Sequence, residues 1–242
     1  MEKIYLGGVV VLLSFLIIYV ICQLNSPDLD NYISKHREQI NWVSINDILD
    51  NAGNGDLIFL SGNTKGEKTC KWCTNTMYSH VGFLFRENHP DTGEDLLYIW
   101  DSDLGQKTKE GPRVMLLKDK LKKYKGSKYI SWKKFKGERP DTEDILKIVN
   151  KYGKLKFDDK ILSWWVSNDN TVSNFLYKLI KNNNEVFCSE LIAMTLQDLN
   201  ILDRTKKSAW YSPGDFVTYK IQGLTNGNSY SSVYMADFSG DW

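Results

Sequence analysis

The sequence lacks an excess of charge of either sign. Its 31 lysine and arginine residues are balanced by 30 aspartate and glutamate residues in a chain of 242. Without a net positive charge there is no overall field that would attract a polyanion. The composition therefore argues against a nucleic-acid partner, and partners have to be inferred from local features. The chain also contains no internal repeat and no long low-complexity tract.

Cysteine is scarce as well, with four residues in the whole chain. Two of them form the pair Cys70-Lys-Trp-Cys73. A structural zinc site needs four ligands, and a second such pair is absent. Three interpretations of this pair stay open, in decreasing order of preference: local structure alone, a disulfide or redox pair, and part of a metal site. An oxidising compartment would favour the disulfide.

One apolar run stands apart from the rest of the chain, Ile4–Cys22. At about 1.5 Å per residue it nearly crosses the hydrocarbon core of a bilayer. A cleavable signal peptide would have a shorter apolar region followed by small residues. We therefore predict a single-pass transmembrane anchor at 1–24, a polar stalk at 25–54 and one domain at 55–242. The side of the membrane that the domain faces stays open.

Short apolar runs between turn residues predict five strands in the domain. They are Leu57–Leu60, Val81–Phe85, Leu96–Trp100, Val114–Leu117 and Tyr129–Trp132. We expect the first three to form an antiparallel meander, with a loop at 61–77. Helices are predicted at 118–124, 141–153, 161–166, 172–180 and from Cys188 onwards. The fold class predicted from this pattern is α+β, with an antiparallel sheet packed against helices.

Cys188 is the candidate nucleophile. Cys188, Ile192, Leu196 and Leu199 fall on one stripe of a helix whose first turn contains the thiol. A helix N-terminus favours an anion, and its free N–H groups can hold an oxyanion. The alternative is that Cys188 is a small buried hydrophobic residue, which is the usual role of a cysteine on such a stripe.

His80 is the candidate base, because a neighbouring imidazole is the usual acceptor of a thiol proton. Of the three histidines, only His80 adjoins an apolar run, whereas His36 and His89 lie among polar residues. Asp101 ends the third strand and could hold the second ring nitrogen. Asp103 is the alternative third residue, and both carboxylates could instead cap a turn.

A basic segment, Lys118–Arg139, carries most of the local positive charge and has aromatic residues between its cations. Such a segment can contact anionic lipid headgroups. More often it is the solvated face of an amphipathic segment, and Asp119 and Glu138 dilute its charge. We favour the solvated face and keep lipid contact as the alternative.

Seven stretches, taken in order from about residue 55 to 216, carry a family resemblance. They are Gly55–Phe59, Ser79–Gly82, Tyr98–Asp101, Val114–Leu117, Phe157–Asp158, Phe187–Leu191 and Ser212–Asp215. Together they resemble the circularly permuted papain-like cysteine hydrolases of the NlpC superfamily, specifically the YiiX/YaeF-type permuted amidases. The histidine precedes the cysteine, which reverses the order found in papain.

This resemblance implies a permuted papain-like (NlpC-type) fold with Cys188 as nucleophile, His80 as base and Asp101 as the group that orients the imidazole. Relatives of this type more often have a glutamate at the third position. The implied activity is cleavage of an amide, thioester or ester bond in a peptide-like or acylated substrate through a covalent acyl-enzyme, without a metal or cofactor. Two alternatives are a lipid thioesterase or acyltransferase on the same fold and a non-catalytic membrane-bound interaction protein.

Overall fold

The structure, a computed structural model, describes residues 24–89, 91–103, 111–124, 126–158, 184–218 and 220–238, together with Ile17, Val20 and Ile21. The helices predicted at 161–166 and 172–180 and nearly all of the anchor predicted at 1–24 lie outside these residues. Within the described ranges, no helix has both the length and the apolar character needed to cross a bilayer. The anchor stays a prediction.

Seven α-helices have both ends within the described ranges: α1 (Leu29–His36), α2 (Ile45–Asn51), α3 (Lys65–Cys73), α4 (Leu117–Lys123), α5 (Thr142–Tyr152), α6 (Cys188–Asp198) and α7 (Pro213–Val217). The strands are β1 (Asn41–Trp42), β2 (Leu57–Leu60), β3 (His80–Asn88), β4 (Asp95–Asp103), β5 (Gly111–Leu116), β6 (Tyr129–Lys133), β7 (Lys156–Phe157), β8 (Glu185–Val186) and β9 (Tyr234–Asp237). Short 3₁₀ turns lie at Arg37–Gln39 and Ser208–Trp210.

Seven of the strands form one sheet in the order β1-β9-β6-β2-β3-β4-β5. All neighbours in it are antiparallel except the parallel pair β1 and β9. The strands β2 to β5 are consecutive neighbours, so the predicted meander is confirmed. A separate parallel pair joins β7 to β8, and β8 lies just before α6 in the chain. The fold is mixed, of the α+β kind.

Side chains alternate along each strand, and this alternation divides the core into two layers. On one face of the sheet, Phe83 of β3 and Trp100 of β4 belong to the same cluster as Leu191 of α6. On the other face, Ile99 and the neighbouring apolar residues cluster with Leu117 of α4. Helix α6 and helix α4 therefore cover opposite faces of the sheet.

Residues 61–77, predicted as a loop, contain helix α3, so that prediction is wrong. The helix begins with a capping box in which the Thr64 side chain accepts from the Glu67 backbone N–H and the Glu67 carboxylate accepts from the Thr64 N–H. The spacing Thr-x-x-Glu is the known signal of such a helix start. This helix places Cys70 and Cys73 in its last turn.

The segment 25–54, predicted as a stalk, packs with the rest of the described chain. Leu29 and Ile33 of α1 are buried in the α6-side cluster, and Ile48 of α2 is buried in the α4-side cluster. Strand β1 adds to the edge of the main sheet through β9. Apolar residues in a short helix are buried where a neighbouring element offers an apolar face.

Asp56 is a buried carboxylate at the start of β2 and has no solvent exposure. It accepts hydrogen bonds from Trp132 Nε1 at 3.0 Å, from Phe135 N at 2.9 Å and from Arg139 at 3.0 Å. These bonds fasten the region around β6 to the start of β2. Burial raises the pKa of Asp56, while its hydrogen bonds and Arg139 oppose that shift.

Removing the Asp56 carboxylate should destabilise the fold, because its buried hydrogen-bond donors lose their acceptor. We expect Asp56→Ala to lower the free energy of unfolding by about 3 kcal/mol, because Trp132 and Phe135 lose their buried acceptor. Urea unfolding measures the change. The matched control is Asp141→Ala, since Asp141 is exposed and its side chain makes no capping bond; its expected change is within about 0.5 kcal/mol. Equal changes in the two variants would contradict a special role for Asp56.

Candidate active site

Cys188 is the first residue of α6, as the helical stripe predicted. The residue before it, Phe187, is the N-cap and offers no side-chain hydrogen bond to the helix. The N–H groups of a first helical turn have no partner within the helix. N–H groups in such a position can donate to a negative charge beside the Cys188 sulfur. The side chain is nearly buried, and its sulfur lies 3.9 Å from the carbonyl oxygen of Ser79.

Strand β4 holds the helix of Cys188 at two points. The Ser102 hydroxyl donates to the carbonyl oxygen of Val186 at 2.9 Å, two residues before the cysteine. The Trp100 indole donates to Thr195 Oγ1 at 3.1 Å, two turns further along α6. Both contacts are buried. The strand that carries Asp101 thus also fixes the start of α6.

His80 is the first residue of β3, and its Nε2 lies 2.8 Å from Asp101 Oδ2. This contact leaves Nδ1 as the ring nitrogen available to Cys188. Because Phe83 pairs with Trp100, both His80 and Asp101 belong to the strand positions that face α4 rather than α6. His80 lies at the end of its strand, where a side chain can reach residues from both faces.

Lys120 is a site residue that the sequence analysis missed. Its ammonium lies 2.6 Å from Asp101 Oδ2 and 2.8 Å from Asp103 Oδ2, and the residue is only 5% exposed. The charge pattern predicts a solvated face for the basic segment, and the burial of Lys120 contradicts that prediction. A signal was present, because Leu117, Lys120 and Leu121 share one helical face and both leucines are buried.

Arg113, the cross-strand partner of Asp101 in β5, completes the charge cluster. Its Nε lies 3.6 Å from Asp101 Oδ1 and its Nη2 lies 3.0 Å from Asp103 Oδ2. Two carboxylates therefore face Lys120, Arg113 and the imidazole of His80. Buried carboxylates need such partners, since an isolated buried charge is strongly unfavourable.

These charges set the protonation states in the site. Burial opposes the charged form of Asp101, but Lys120 and His80 hold its pKa below the usual value. Burial and Lys120 lower the pKa of His80, whereas Cys188 and Asp101 outweigh them and raise it to about 10. Contact with the Cys188 sulfur and with Asp101 thus favours the protonated form of the His80 ring.

Asp101 and Asp103 differ in their relation to the imidazole. Of these two carboxylates, only that of Asp101 lies within hydrogen-bonding distance of His80. Asp103 bonds Lys120 and Arg113 instead. The pKa of Asp103 is lowered, because the charges of His80 and Lys120 outweigh burial. The contact geometry thus favours Asp101 as the group that orients the ring.

A small cavity of about 90 Å³ opens onto these residues. Its lining includes Cys188, His80 and Asp103, together with Cys70, Phe157 and Phe187. The structure thus brings the three residues predicted from the sequence to one place, with Asp101 behind His80. Their catalytic roles stay predictions. In the portion of the chain that is described, no three histidine, cysteine, aspartate or glutamate side chains are arranged to hold a metal ion.

Cys70 reaches the same cavity from α3. Its sulfur lies 3.9 Å from the carbonyl oxygen of Ser79, the oxygen that the Cys188 sulfur also approaches. Burial raises the pKa of Cys70 well above its ordinary value, and the nearby Cys188 and Cys73 add to this shift. Cys70, Cys73 and Cys188 are all thiols rather than disulfides.

The basic segment Lys118–Arg139 is divided between interior and surface. Lys120 and Lys133 are buried, and Arg139 pairs with Asp56 at 3.0 Å. Lys133 donates to the carbonyl oxygens of Phe216 and Thr218, which fixes the end of α7. The other described lysines of the segment are at least partly exposed. Contact with anionic lipid stays a prediction, with fewer free cations than the sequence indicated.

No protein-family model and no curated protein matches the chain. One similar solved structure is that of the metalloprotein YiiX from Escherichia coli O157:H7, with a TM-score of 0.42 and 17% sequence identity. The match covers 61% of this chain and 66% of that chain, slightly less than two thirds of its length. The resemblance to the permuted papain-like hydrolases stays a prediction, and the function has to be inferred from the residues of the site.

Removing Lys120 should lower the stability of the fold and raise the pKa of the His80 imidazole. We expect Lys120→Met to lower the free energy of unfolding by about 3 kcal/mol, because two carboxylates lose a buried partner. Lys120 lowers the pKa of His80, so the variant should titrate His80 at a higher pH than the parent. Urea unfolding and NMR titration of the ring measure the two effects.

The control for this prediction is Lys122→Met, on the same helix at an exposed position. We expect its unfolding free energy to stay within about 0.5 kcal/mol of the parent value and its His80 titration to be unchanged. If both variants shift the titration equally, the effect would come from net charge and not from the buried contact with Asp101.

Proposed function

We propose that the chain is a cysteine hydrolase of the amidase or peptidase type, with the permuted papain-like architecture that the sequence resemblance implies. Cys188 is the nucleophile, His80 the general acid and base, and Asp101 the group that orients the imidazole. The observation that carries this proposal is the position of His80. Its Nε2 is hydrogen-bonded to the buried Asp101 carboxylate, and the neighbouring Cys188 raises the pKa of its ring.

In the proposed reaction, the Cys188 thiolate attacks the carbonyl carbon of the substrate and forms a carbon–sulfur bond. The backbone N–H groups at the start of α6 donate hydrogen bonds to the oxyanion. The His80 imidazolium gives its proton to the leaving amine as the carbon–nitrogen bond breaks. Neutral His80 then takes a proton from water, which attacks the acyl carbon. The carbon–sulfur bond breaks, an acid leaves, and the thiolate and imidazolium are restored.

A peptide-like amide is the preferred substrate over a lipid thioester. The lipid alternative drew on the basic segment, and the burial of Lys120 and Lys133 reduces the cations that the segment offers to a headgroup. The predicted single-pass anchor at 1–24 remains part of the proposal and would hold the enzyme at a membrane. Turnover of peptide amides compared with long-chain acyl thioesters separates the two substrate classes.

Acylation of Cys188 is the direct test. We expect p-nitrophenyl acetate to form an acetyl thioester at Cys188, detected by intact mass and peptide mapping. His80→Ala should slow this acylation by roughly 10²- to 10⁴-fold, because the group that generates and pairs with the thiolate is lost.

His89→Ala is the matched control, since His89 lies in the turn between β3 and β4 and accepts a hydrogen bond from the Asp91 N–H. It should be acylated at the parent rate. Acylation of His80→Ala at the parent rate, or acylation mainly at Cys70, would contradict the assignment. If Cys188→Ala retained every activity of the parent, the non-catalytic alternative would be correct.

The two carboxylates can be distinguished by the same assay. Asp101→Asn should slow acylation by roughly 10²-fold or more, because an amide in place of the carboxylate no longer stabilises the imidazolium. Asp103→Asn should have a smaller effect, since Asp103 acts on His80 only through its charge and through Lys120. The reverse order of the two rates would identify Asp103 as the orienting residue. Circular dichroism of both variants serves as the folding control.

A further inference from the structure

Cys70 shares the cavity with Cys188 and has no role in the proposed hydrolysis. Both sulfurs lie 3.9 Å from the same Ser79 oxygen, so the distance between them cannot exceed twice that value. Both line the cavity, which gives a small oxidant a route to them. Neither is in a disulfide. Two reduced sulfurs are therefore held close together at a place that solvent molecules can reach.

The two sulfurs occupy opposite ends of their helices. Cys188 is in the first turn of α6 and lines the same cavity as His80, and a helix N-terminus and a protonated imidazole both favour an anion. Cys70 is in the last turn of α3, where the carbonyl ends disfavour an anion, and its pKa is raised by burial. Oxidation by peroxide selects the sulfur with thiolate character, and a neighbouring thiol can then resolve the product.

We propose that Cys188 is a peroxide-oxidation site and that Cys70 is its resolving thiol, so that the two form a reversible disulfide. The proposal requires the thiolate character of Cys188 but not the hydrolysis of any substrate. It also gives the Cys70-Lys-Trp-Cys73 motif a redox role that differs from an internal Cys70–Cys73 disulfide.

The chemistry balances with one peroxide. The Cys188 thiolate attacks one oxygen of hydrogen peroxide, the oxygen–oxygen bond breaks, and the departing hydroxide takes the His80 proton to become water. Cys188 is now a sulfenic acid, oxidised by two electrons. Neutral His80 then takes the proton of Cys70, whose sulfur attacks the Cys188 sulfur. The sulfur–oxygen bond breaks and the hydroxide leaves as a second water with that proton. The side chains must close to about 2.05 Å between sulfurs.

The experiment treats the full chain with hydrogen peroxide and maps disulfides by mass spectrometry without reduction. We expect a peptide that joins Cys70 to Cys188, lost on addition of dithiothreitol. Cys73→Ser should form the same joined peptide. In Cys70→Ser the joined peptide should be absent, and Cys188 should accumulate as sulfinic and sulfonic acids that dithiothreitol does not reverse. Cys70→Ala is a second variant with the same expected result, in case the serine hydroxyl disturbs the buried site.

Three results would overturn the proposal: a disulfide between Cys70 and Cys73, a disulfide from Cys188 to another cysteine, or equal overoxidation of Cys188 in the parent and in Cys70→Ser. The outcome is separate from that of the acylation assay, which reads a different bond. If Cys188 is acylated but no Cys70–Cys188 peptide forms, the hydrolase proposal stands and the disulfide proposal is wrong. If the Cys70–Cys188 peptide forms without acylation, the disulfide proposal stands and the hydrolase proposal is wrong.

Discussion

Asp101 carries a buried negative charge, and one of its oxygens, Oδ2, contacts both the imidazole of His80 and the ammonium of Lys120. A carboxylate without solvent exposure is tolerated only when such partners surround it. Helix α4 has to pack across the sheet for Lys120 to reach it. The chain segment from β5 into α4 is therefore tied to the candidate site by electrostatics, although neither element carries a group that would touch a substrate.

The position of His80 at the end of β3 explains how groups from the two faces of the sheet can meet. Helix α6 covers the face that carries Phe83, whereas Asp101 and Lys120 lie with α4 on the other face. A side chain inside the strand could contact only one of these layers. A slip of one residue in the pairing of β3 with β4 would turn His80 to the wrong face. The fixed register thus determines whether imidazole, carboxylate and thiol can act together.

The sequence predicts those parts of the fold that depend on local spacing. A short apolar run beside turn residues predicts the strand Leu57–Leu60, and a helical stripe predicts the helix that starts at Cys188, because both patterns lie in neighbouring residues. The pairing of β1 with β9 joins residues that are far apart in the chain, so no local pattern predicts it. Lys120 was missed because its charge was counted with that of its neighbours, while burial depends on the helical face that it shares with Leu117.

The two thiols of the cavity, Cys70 and Cys188, are of the same residue type, so residue type does not distinguish their proposed roles. Cys70 and Cys188 approach one carbonyl oxygen, and both are nearly buried. What differs is the helix end on which each lies and the contact with His80, because Cys188 and Asp101 raise the pKa of the His80 imidazole. Helix α3 brings Cys70 into the cavity at its carbonyl end, where an anion is disfavoured. The proposed division between an attacking and a resolving sulfur follows from the orientation of two helices, and this orientation is a property of the assembled fold.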